Sequence, residues 1–550
     1  MKDQTTFVDR LLGTLAKHPS RPVIGEMHGA THKPFTGAMM AAMVGKARAA
    51  IRSRGVKPGD RVVLLAPNSA RWVAADLAML AEGAVVVPLY ARQAAGELVT
   101  IMKHAEPALV VVDGEALAEG PRAAWPEMPL ALLDDLFAGD GAVDEPPVKR
   151  APADPVTIIY TSGTSGEAKG VVTTAANVGF MLPVIDDAVG RLMGDGGHAA
   201  GGVHRVFHYL PFCFAGSRMV LWTALWRGSE LSMSTSLDNL KEELAAAKPN
   251  YVLNVPALLD RIRSGVDGQI VKRGKLFAAL WAAAVRGNLR GKGATLGEKL
   301  ALAVAKRLIA PKVKAQIGAD LKTLISGSAP LSEETQRWFS LIGIPVYEVY
   351  GLTETTAIVT MDEPGDARPG YVGRPIRGVE IRVAGDDDEL QTRGAHIFAG
   401  YWKNEAATKA AFTDDGWFRT GDQATLDETR RVKVIGRTKN VLVPSSGHNV
   451  PPEPLEQRLL ELSPGAVQAV VVGHGRPFLT AIVAGPVARE VVEAAVATLN
   501  ADIPHYRRIR AFHLDPAPMT PESGLLTANQ KLKRRAIEAH YEKQIAEMYA

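Results

Sequence analysis

The sequence predicts an α/β protein with a large body and at least one smaller domain. Short β-branched runs alternate with helical patterns, an order typical of βαβ units that build parallel sheets covered by helices. At 550 residues the chain is too long for a single core, so a second domain is expected. The hydrophobic share of 47% and the charged share of 22% are those of a globular protein.

The alternation is clearest in the first quarter of the chain and returns near the middle. The predicted segments, in chain order, are strand 61–65, helix 70–81, strand 84–87, helix 97–104, strand 109–112, strand 231–233 and strand 251–253. The glycine-rich stretch 194–202 is predicted to be a loop, and no fixed-period repeat is present.

Composition excludes several function classes. A net charge of +4 is small for this length, so we expect no nucleic-acid partner. The single cysteine, Cys213, excludes an internal disulfide and a thiolate zinc cluster, and its apolar neighbours predict a buried structural thiol.

The chain shows no pattern typical of export or membrane insertion. Its N-terminus lacks an apolar signal region, and the most hydrophobic window, residues 72–91, is interrupted by Asp76 and Glu82. We therefore expect a cytoplasmic protein, soluble or peripheral to a membrane.

A loop rich in glycine and hydroxyl groups follows the β-branched run 156–159. It reads TSGTSGEAKG from Thr161 to Gly170, and its backbone N–H groups, hydroxyls and the Lys169 ammonium are suited to phosphate oxygens. It is not a Walker A loop, because Ala168 and Gly170 stand where that motif needs a glycine and a Ser or Thr. Taken alone, the loop is equally typical of an ordinary strand-to-helix turn.

Further motifs follow, and together with the loop they span about 370 residues in an order that chance does not explain. They are SGSAPL from 326, VYEVYGLTET from 346, GWFRTGD from 416, GRTKN from 436 and LTANQKLKRR from 526. Together with the loop they resemble the signature of the adenylate-forming superfamily, which includes acyl-CoA synthetases, luciferases and peptide-synthetase adenylation domains.

The resemblance implies a nucleotide site. It assigns the phosphate loop (Thr161, Ser162, Gly163, Thr164, Ser165, Gly166), the adenine contacts (Ser328, Ala329, Pro330, Tyr350, Gly351) and the ribose contacts (Asp422, Arg437). It assigns Thr353 to a phosphate or the acyl carbonyl, and Glu354 to a Mg²⁺ ion that bridges phosphate oxygens.

The resemblance also implies the domain organisation. A large body of mixed, largely parallel sheets flanked by helices spans 1–435, a hinge spans 436–440, and a small mobile α+β domain spans 441–550. Lys439 is assigned as the pivot of the hinge, and Gly447 to the tunnel for CoA.

Lys531 is assigned as the catalytic lysine, because the segment aligns on its Leu-Thr start and its Lys-x-Lys-Arg end. The neighbouring Lys533, Arg534 and Arg535 are predicted to form a solvated helix face.

The implied chemistry has two steps. A carboxylate attacks the α-phosphorus of ATP, which releases pyrophosphate and forms acyl-AMP; the thiol of CoA then displaces AMP. Positioning and charge neutralisation by Mg²⁺, Lys169, the loop hydroxyls and Lys531 are expected to supply most of the acceleration.

The substrate class rests on two segments. Long-chain fatty acyl-CoA synthetases are resembled by residues 447–456 and by the insertion 266–322. One position departs from the pattern: Phe214 stands where the related synthetases usually carry a histidine, and it is assigned to the acyl pocket. The insertion carries twelve Lys and Arg against three Asp and Glu, a net charge of +9. Its predicted amphipathic helices suit either an anionic membrane or solvated faces packed on the body, and the sequence leaves both open.

Three functions remain open at this point. They are a fatty acyl-CoA ligase, a ligase that loads a carrier-protein phosphopantetheine or another acceptor, and a silent acyl or nucleotide binder. The charged groups Lys169, Glu354, Asp422, Arg437 and Lys531 are all present, which argues against the third. No obligate protein partner is evident.

Overall fold

The structure, a computed structural model, describes residues 6–162, 168–194, 203–527 and 530–550. The chain forms two compact units. Unit 1 contains the chain up to Ala91, Ala95–Glu380 and Arg393–Phe412, and unit 2 contains Arg92–Ala94, Ile381–Thr392 and Thr413–Ala550.

The strands are numbered in chain order. They are β1 (Pro22–His28), β2 (Thr31–Thr36), β3 (Arg61–Leu65), β4 (Val85–Leu89), β5 (Leu109–Val112), β6 (Leu130–Leu132), β7 (Pro155–Ser162), β8 (Ala168–Thr174), β9 (Arg205–His208), β10 (Glu230–Ser234), β11 (Tyr251–Asn254), β12 (Thr323–Ser326), β13 (Val346–Tyr350), β14 (Thr360–Met361), β15 (Arg374–Pro375), β16 (Glu380–Ala384), β17 (Glu389–Arg393), β18 (Gly400–Tyr401), β19 (Phe418–Leu426), β20 (Val432–Arg437), β21 (Gln468–Val472), β22 (Leu479–Ala484) and β23 (Ile509–Asp515).

The α-helices are numbered in the same way. They are α1 (Phe7–Lys17), α2 (Gly37–Ser53), α3 (Ala70–Ala81), α4 (Ala95–Ala105), α5 (Glu115–Ala124), α6 (Ala175–Met193), α7 (Ala215–Arg227), α8 (Leu240–Ala247), α9 (Pro256–Lys272), α10 (Lys275–Arg290), α11 (Leu296–Leu308), α12 (Ala310–Gly318), α13 (Glu333–Leu341), α14 (Glu405–Ala410), α15 (Glu453–Leu462), α16 (Arg489–Ala501), α17 (Arg534–His540) and α18 (Glu542–Tyr549).

Unit 1 is built on two mixed, largely parallel sheets, as the sequence predicts. One has nine strands in the order β15-β14-β13-β12-β11-β9-β10-β1-β2, and the other has seven in the order β18-β8-β7-β4-β3-β5-β6. The inner pairs are parallel, whereas β2, β14, β15, β8 and β18 add antiparallel pairs at the edges. Helices cover strands that are buried on both faces, which fits their continuous Val and Leu runs.

Several helices of unit 1 begin at side chains that cap their free backbone N–H groups. Ser69 accepts a hydrogen bond from the N–H of Trp72 at the start of α3, and Thr174 and Asn177 cap each other at the start of α6. The predicted segments 61–65 and 70–81 coincide with β3 and α3. The predicted loop 194–202 lies outside the described residues from 195 onward.

Unit 2 contains two smaller sheets. Strands β16, β17, β19 and β20 form an antiparallel sheet, and β21, β22 and β23 form a mixed sheet covered by α15, α16 and the C-terminal helices. This α+β arrangement agrees with the predicted fold class. The boundary at 435 and the hinge at 436–440 remain predictions, because a compact unit does not define where a chain pivots.

The insertion 266–322 is helical, as its amphipathic pattern predicts. It contains the C-terminal part of α9 and all of α10, α11 and α12, and it packs on the body through a core that includes Trp281, Ala284, Ala305 and Trp338. None of the helices in the described ranges is long and apolar enough to cross a bilayer.

A buried ion pair ties α3 and α7 to the seven-stranded sheet. Arg218 of α7 donates to Asp76 of α3 and to the hydroxyl of Thr157 on β7, and Thr157 donates to the carbonyl of Val86 at 2.7 Å. Trp222 donates to the other oxygen of Asp76 at 3.1 Å. Burial raises the pKa of Asp76 and lowers the pKa of Arg218, so each charge depends on its partner.

Arg218→Met is expected to lower the free energy of unfolding by about 3–5 kcal/mol, because it leaves the Asp76 carboxylate buried without a cation. This loss of stability should become smaller as pH falls. Burial raises the pKa of the Asp76 carboxyl in the folded state, so on acidification the folded protein is protonated at a higher pH than the unfolded chain and no longer contains a buried charge. Urea unfolding at several pH values measures both effects.

Two controls make this result specific. The double variant Asp76→Leu/Arg218→Met should recover much of the loss, since no unpaired charge remains. Arg122→Met breaks the exposed Arg122–Glu115 pair and should cost no more than about 1 kcal/mol. Equal losses in Arg218→Met and Arg122→Met would contradict the prediction.

Candidate active site

The predicted phosphate loop connects two antiparallel strands. Strand β7 continues to Ser162 and the chain returns as β8, with Thr161 paired opposite Lys169. The alternative of a strand-to-helix turn is therefore wrong, because the hydroxyl-rich loop closes a hairpin. Gly163, Thr164, Ser165 and Gly166 lie outside the described residues, as does the side chain of Ser162.

The predicted adenine contacts follow two neighbouring parallel strands. An exposed turn after β12 contains Ser328, Ala329 and Pro330. Strand β13, which pairs with β12, ends at Tyr350 and is followed by Gly351. The carboxyl ends of parallel strands meet at one edge of a sheet, so the two segments emerge side by side.

Backbone geometry at this edge is unusual. Ser328 has a φ of 73°, and Thr356 and Ala357 have φ values of 49° and 83°, in the left-handed region that few side chains adopt. A Cβ atom on Gly351 would lie 2.1 Å from the carbonyl oxygen of Ala357, so only glycine fits there. Such strain concentrates at functional sites.

Glu354 and Lys169 are brought together by Tyr401. Thr353 and Glu354 lie in the short 3-10 helix Thr353–Thr355, and the Tyr401 hydroxyl donates to a Glu354 carboxylate oxygen at 2.9 Å. The ammonium of Lys169 lies 4.9 Å from the centre of the Tyr401 ring, a cation–π distance. Strand β18 places Tyr401 beside β8, so one side chain joins the seven-stranded sheet to the segment that follows β13.

Phe214 stands at the start of α7. Its ring centre is 5.8 Å from that of Tyr90, and its carbonyl accepts the N–H of Arg218 at 2.9 Å. Beneath this first turn is a narrow cavity, with room for about one water molecule, lined by Thr157, Ile159, Thr173, Ala215, Arg218, Met219, Trp222 and Thr356.

Cys213, next to Phe214, is buried as predicted. Burial raises the pKa of its thiol to about 12, so it is a structural thiol rather than a nucleophile.

In unit 2, the predicted ribose contacts face each other across two strands. Asp422 on β19 pairs with Arg437 on β20, and the guanidinium Nε lies 2.9 Å from the buried carboxylate. Arg437 also donates to the carbonyl of Thr420 at 3.1 Å. The carboxylate is therefore held in a fixed orientation, as a group that accepts hydrogen bonds from two ribose hydroxyls requires.

The predicted hinge segment is fastened to α15. Lys439 is exposed in the short 3-10 helix Thr438–Asn440, and Asn440 donates to Glu453 at 2.6 Å. Gly447 lies further along, in an exposed turn with a φ of 76°.

Lys531 lies in a short segment that backbone hydrogen bonds hold to the residues before Ala528. Leu526 and Leu532 form an antiparallel bridge, and the N–H of Thr527 donates to the carbonyl of Lys531 at 2.8 Å. The Lys531 side chain is exposed, whereas Leu526 is buried in the core. Ala528 and Asn529 lie outside the described residues.

One expectation for this segment is wrong. Arg534 was predicted to lie on a solvated helix face, but its side chain is only 15% exposed and donates to the buried Glu456 at 2.6 Å. The same guanidinium lies 3.8 Å from Glu453. Arg534 thus connects the segment of the predicted catalytic lysine to α15, whereas Arg535 is exposed as predicted.

Two residues that contact the candidate site residues, Tyr401 and Glu453, were not predicted from the sequence. Tyr401 belongs to a Gly-Tyr-Trp triplet that follows a strand-like run, and an aromatic cluster there was the available signal. Glu453 looks like an ordinary acidic residue in the first turn of a helix, so nothing in the sequence distinguishes it.

Comparisons with known proteins agree with this picture. A family model described as AMP-binding enzyme matches residues 13–402, and a model of the AMP-binding enzyme C-terminal domain matches residues 439–550. The chain belongs to the AMP-binding enzyme family, a family of adenylate-forming enzymes.

Two curated relatives act on long-chain fatty acids. The long-chain-fatty-acid–CoA ligase FadD15 of Mycobacterium tuberculosis is 31% identical over 90% of this chain and 89% of its own length. A long-chain-fatty-acid–[acyl-carrier-protein] ligase of Arabidopsis thaliana, AEE15, is 26% identical over 91% of this chain and 80% of its own length.

Solved structures show the same fold. ATP-bound MatB of Rhodopseudomonas palustris has a TM-score of 0.73 at 22% identity, covering 97% of this chain and 98% of that one. The adenylation domain of a carboxylate reductase from Mycobacterium chelonae has a TM-score of 0.79 at 21% identity, covering 100% of this chain and 92% of that one. The residue roles assigned above remain predictions.

Proposed function

We propose that the protein is an AMP-forming fatty acyl-CoA ligase. It would adenylate a medium- or long-chain fatty acid with ATP, release pyrophosphate, and transfer the acyl group to the thiol of CoA. The observation that carries the proposal is the grouping of Lys169, Tyr401 and Glu354 beside the phosphate-loop hairpin, in a chain of this family.

The first step brings together two anions, a carboxylate and the α-phosphate, so it requires neutralising charge more than a protein nucleophile. Lys169 supplies one cation beside the loop, and the hydroxyl of Thr161 lies on the strand that leads into it. Asp422, oriented by Arg437, would take the ribose.

Glu354 suits a magnesium ion. Carboxylate oxygen is a ligand that Mg²⁺ prefers, and the ion commonly takes one or two carboxylates while phosphate oxygens and waters complete its shell. Tyr401 occupies only part of the hydrogen-bonding capacity of Glu354, and no cluster of three metal-ligating side chains occurs in the residues that the structure describes. The ion, when bound, would neutralise phosphate charge at this carboxylate.

Lys531 is proposed to supply the second cation for adenylation. Its exposed side chain supports this role, because an ammonium group at the surface can approach the phosphates of a bound nucleotide. In this proposal Lys439 is the pivot that removes Lys531 after adenylation, and Gly447 borders the path of the CoA thiol.

A fatty substrate is supported by the FadD15 relative and by apolar surroundings at Phe214. Phe214, Tyr90 and the narrow cavity below α7 are proposed to border the acyl chain. One of the relatives is an acyl-carrier-protein ligase, so a carrier protein is the second candidate acceptor. The identity of the acylated product distinguishes CoA from a carrier protein.

Product analysis by mass spectrometry tests the proposal. The purified protein is incubated with ATP, Mg²⁺ and a panel of fatty and aromatic acids, with free CoA or with a holo carrier protein. We expect fatty acyl-CoA with stoichiometric AMP. If the carrier protein is acylated and no acyl-CoA forms, the acceptor is the carrier protein and not CoA. If no AMP forms with any acid, the proposed ligase activity is refuted.

Lys531→Ala is expected to reduce adenylation by roughly two orders of magnitude or more, because it removes a cation from the step that joins two anions. Conversion of supplied acyl-AMP and CoA to thioester should persist. Pyrophosphate release and thioester formation are measured separately. Lys543→Ala, which removes an exposed lysine of α18, should leave both rates unchanged; equal loss of both half-reactions in Lys531→Ala would refute the assignment.

Tyr401→Phe is expected to weaken binding of metal-loaded ATP about fivefold, because Glu354 loses the hydrogen bond that orients its carboxylate. Calorimetric titration with ATP, with and without Mg²⁺, measures this, and metal-free binding should be unchanged. Tyr371→Phe removes a hydroxyl of the same unit and serves as the control. An equal loss with and without the metal would show that Tyr401 acts only on the fold.

A further inference from the structure

The helical insertion carries an unusual group of exposed apolar side chains. Ten large hydrophobic side chains are exposed in the described part of the chain, and six of them lie on α9, α10 and α11. They are Val271, Leu276, Phe277, Leu296, Leu300 and Leu308, with exposures of 61%, 82%, 48%, 86%, 67% and 59%. Apolar patches of this kind mark interaction sites.

The order of the helices brings most of these side chains to one end of the insertion. Helix α9 ends at Lys272 and α10 begins at Lys275, so Val271, Leu276 and Phe277 flank one short turn. Helix α11 packs along α10 after a short connection and so runs back toward that turn, where it ends at Leu308.

Internal packing does not account for the exposed leucines. Ala301 and Ala305 of α11 share a core with Trp281 and Ala284 of α10, and this contact defines the inner face of the pair. Leu296 and Leu300 are four residues apart and share a different, exposed face of α11.

The surface around these side chains is cationic. Exposed Lys and Arg residues stand at the turn and along α11: Lys272, Arg273, Lys275, Lys299, Lys306 and Arg307. They leave the charge of this surface strongly positive, because few acids accompany them.

The three acidic side chains of the insertion are engaged elsewhere. Asp267 accepts hydrogen bonds from Trp281 at 2.6 Å and Trp338 at 3.0 Å. Glu298 pairs with Arg290 at 2.9 Å, and Asp320 pairs with Arg205 at 2.5 Å. These three acids therefore do not neutralise the exposed Lys and Arg side chains at the turn and along α11.

We propose that the exposed apolar and cationic side chains described above together form one surface, called here the insertion surface, which docks on an anionic lipid bilayer. It consists of Val271, Leu276, Phe277, Leu296, Leu300 and Leu308 with Lys272, Arg273, Lys275, Lys299, Lys306 and Arg307. Such a bilayer satisfies both features at once, since its headgroups attract Lys and Arg while Leu and Phe enter the acyl boundary. A second copy of this chain would bring two cationic surfaces together and is disfavoured by charge. The docking goes beyond the chemistry proposed above and does not depend on it.

Flotation of the full-length protein with lipid vesicles tests the docking. Vesicles of phosphatidylcholine alone are compared with vesicles that also contain phosphatidylglycerol, at several salt concentrations. We expect binding to the anionic vesicles that weakens as salt rises, because exposed charges are screened. Binding is read directly, so an inactive preparation would not affect the result.

Two variants separate the apolar and the ionic contributions. Leu276→Ser/Phe277→Ser should lower the affinity on the order of tenfold or more, since two exposed apolar side chains no longer enter the boundary. Lys306→Glu/Arg307→Glu should lower it by a similar factor and flatten the dependence on salt.

Matched controls exclude general effects. Lys57→Glu/Lys149→Glu makes the same change of net charge at two exposed lysines of unit 1, and Leu237→Ser removes an exposed leucine outside the insertion. Both should bind like the unchanged protein, and thermal unfolding checks that every variant is folded.

Three results would overturn the proposal. They are absence of binding to anionic vesicles, equal binding by the insertion variants and the controls, and a dimer in solution that Leu276→Ser/Phe277→Ser dissolves. The last result would assign the insertion surface to a second copy of the chain.

Discussion

The pairing of Asp76 with Arg218 is the constraint on which unit 1 depends. Helix α3 is buried along nearly its whole length, and its one internal acid cannot ionise in that setting without a cation beside it. Arg218 supplies the cation and reaches Thr157 of β7 at the same time. The first turn of α7, with Phe214 at its start, is therefore fixed against the strand that leads to the phosphate loop.

The chemistry of the family places few demands on side-chain reactivity and many on charge placement. In unit 1, an aromatic ring with one hydroxyl serves two charges of opposite sign, since its face meets Lys169 and its hydroxyl meets Glu354. In unit 2, the ion pair of Asp422 and Arg437 fixes a carboxylate before any ligand arrives. If the nucleotide binds as proposed, both arrangements reduce the reorganisation that its binding would otherwise require.

Sequence patterns were reliable where periodicity and local chemistry determine structure. Strand β3 and helix α3 follow directly from a β-branched run and a capped helical stretch, and the helices of the insertion follow from their amphipathic spacing. The hairpin at the phosphate loop was not predicted, because a return strand depends on pairing across the loop and not on the loop itself. Arg534 was misjudged because a basic run gives no sign of the distant carboxylate that draws one member inward. Tyr401 lies 47 residues from the carboxylate it contacts, a separation that no local pattern spans.

Glu453 links two segments of unit 2 that lie far apart in the sequence. Its carboxylate accepts the amide of Asn440 at 2.6 Å and lies 3.8 Å from the guanidinium of Arg534. The segment 436–440 and the turn that presents Lys531 thus converge on one side chain at the start of α15. In the proposed mechanism, a rotation at 436–440 would be passed to the Lys531 segment through the Glu453 carboxylate, so the position of the lysine would depend on the backbone conformation of the proposed hinge.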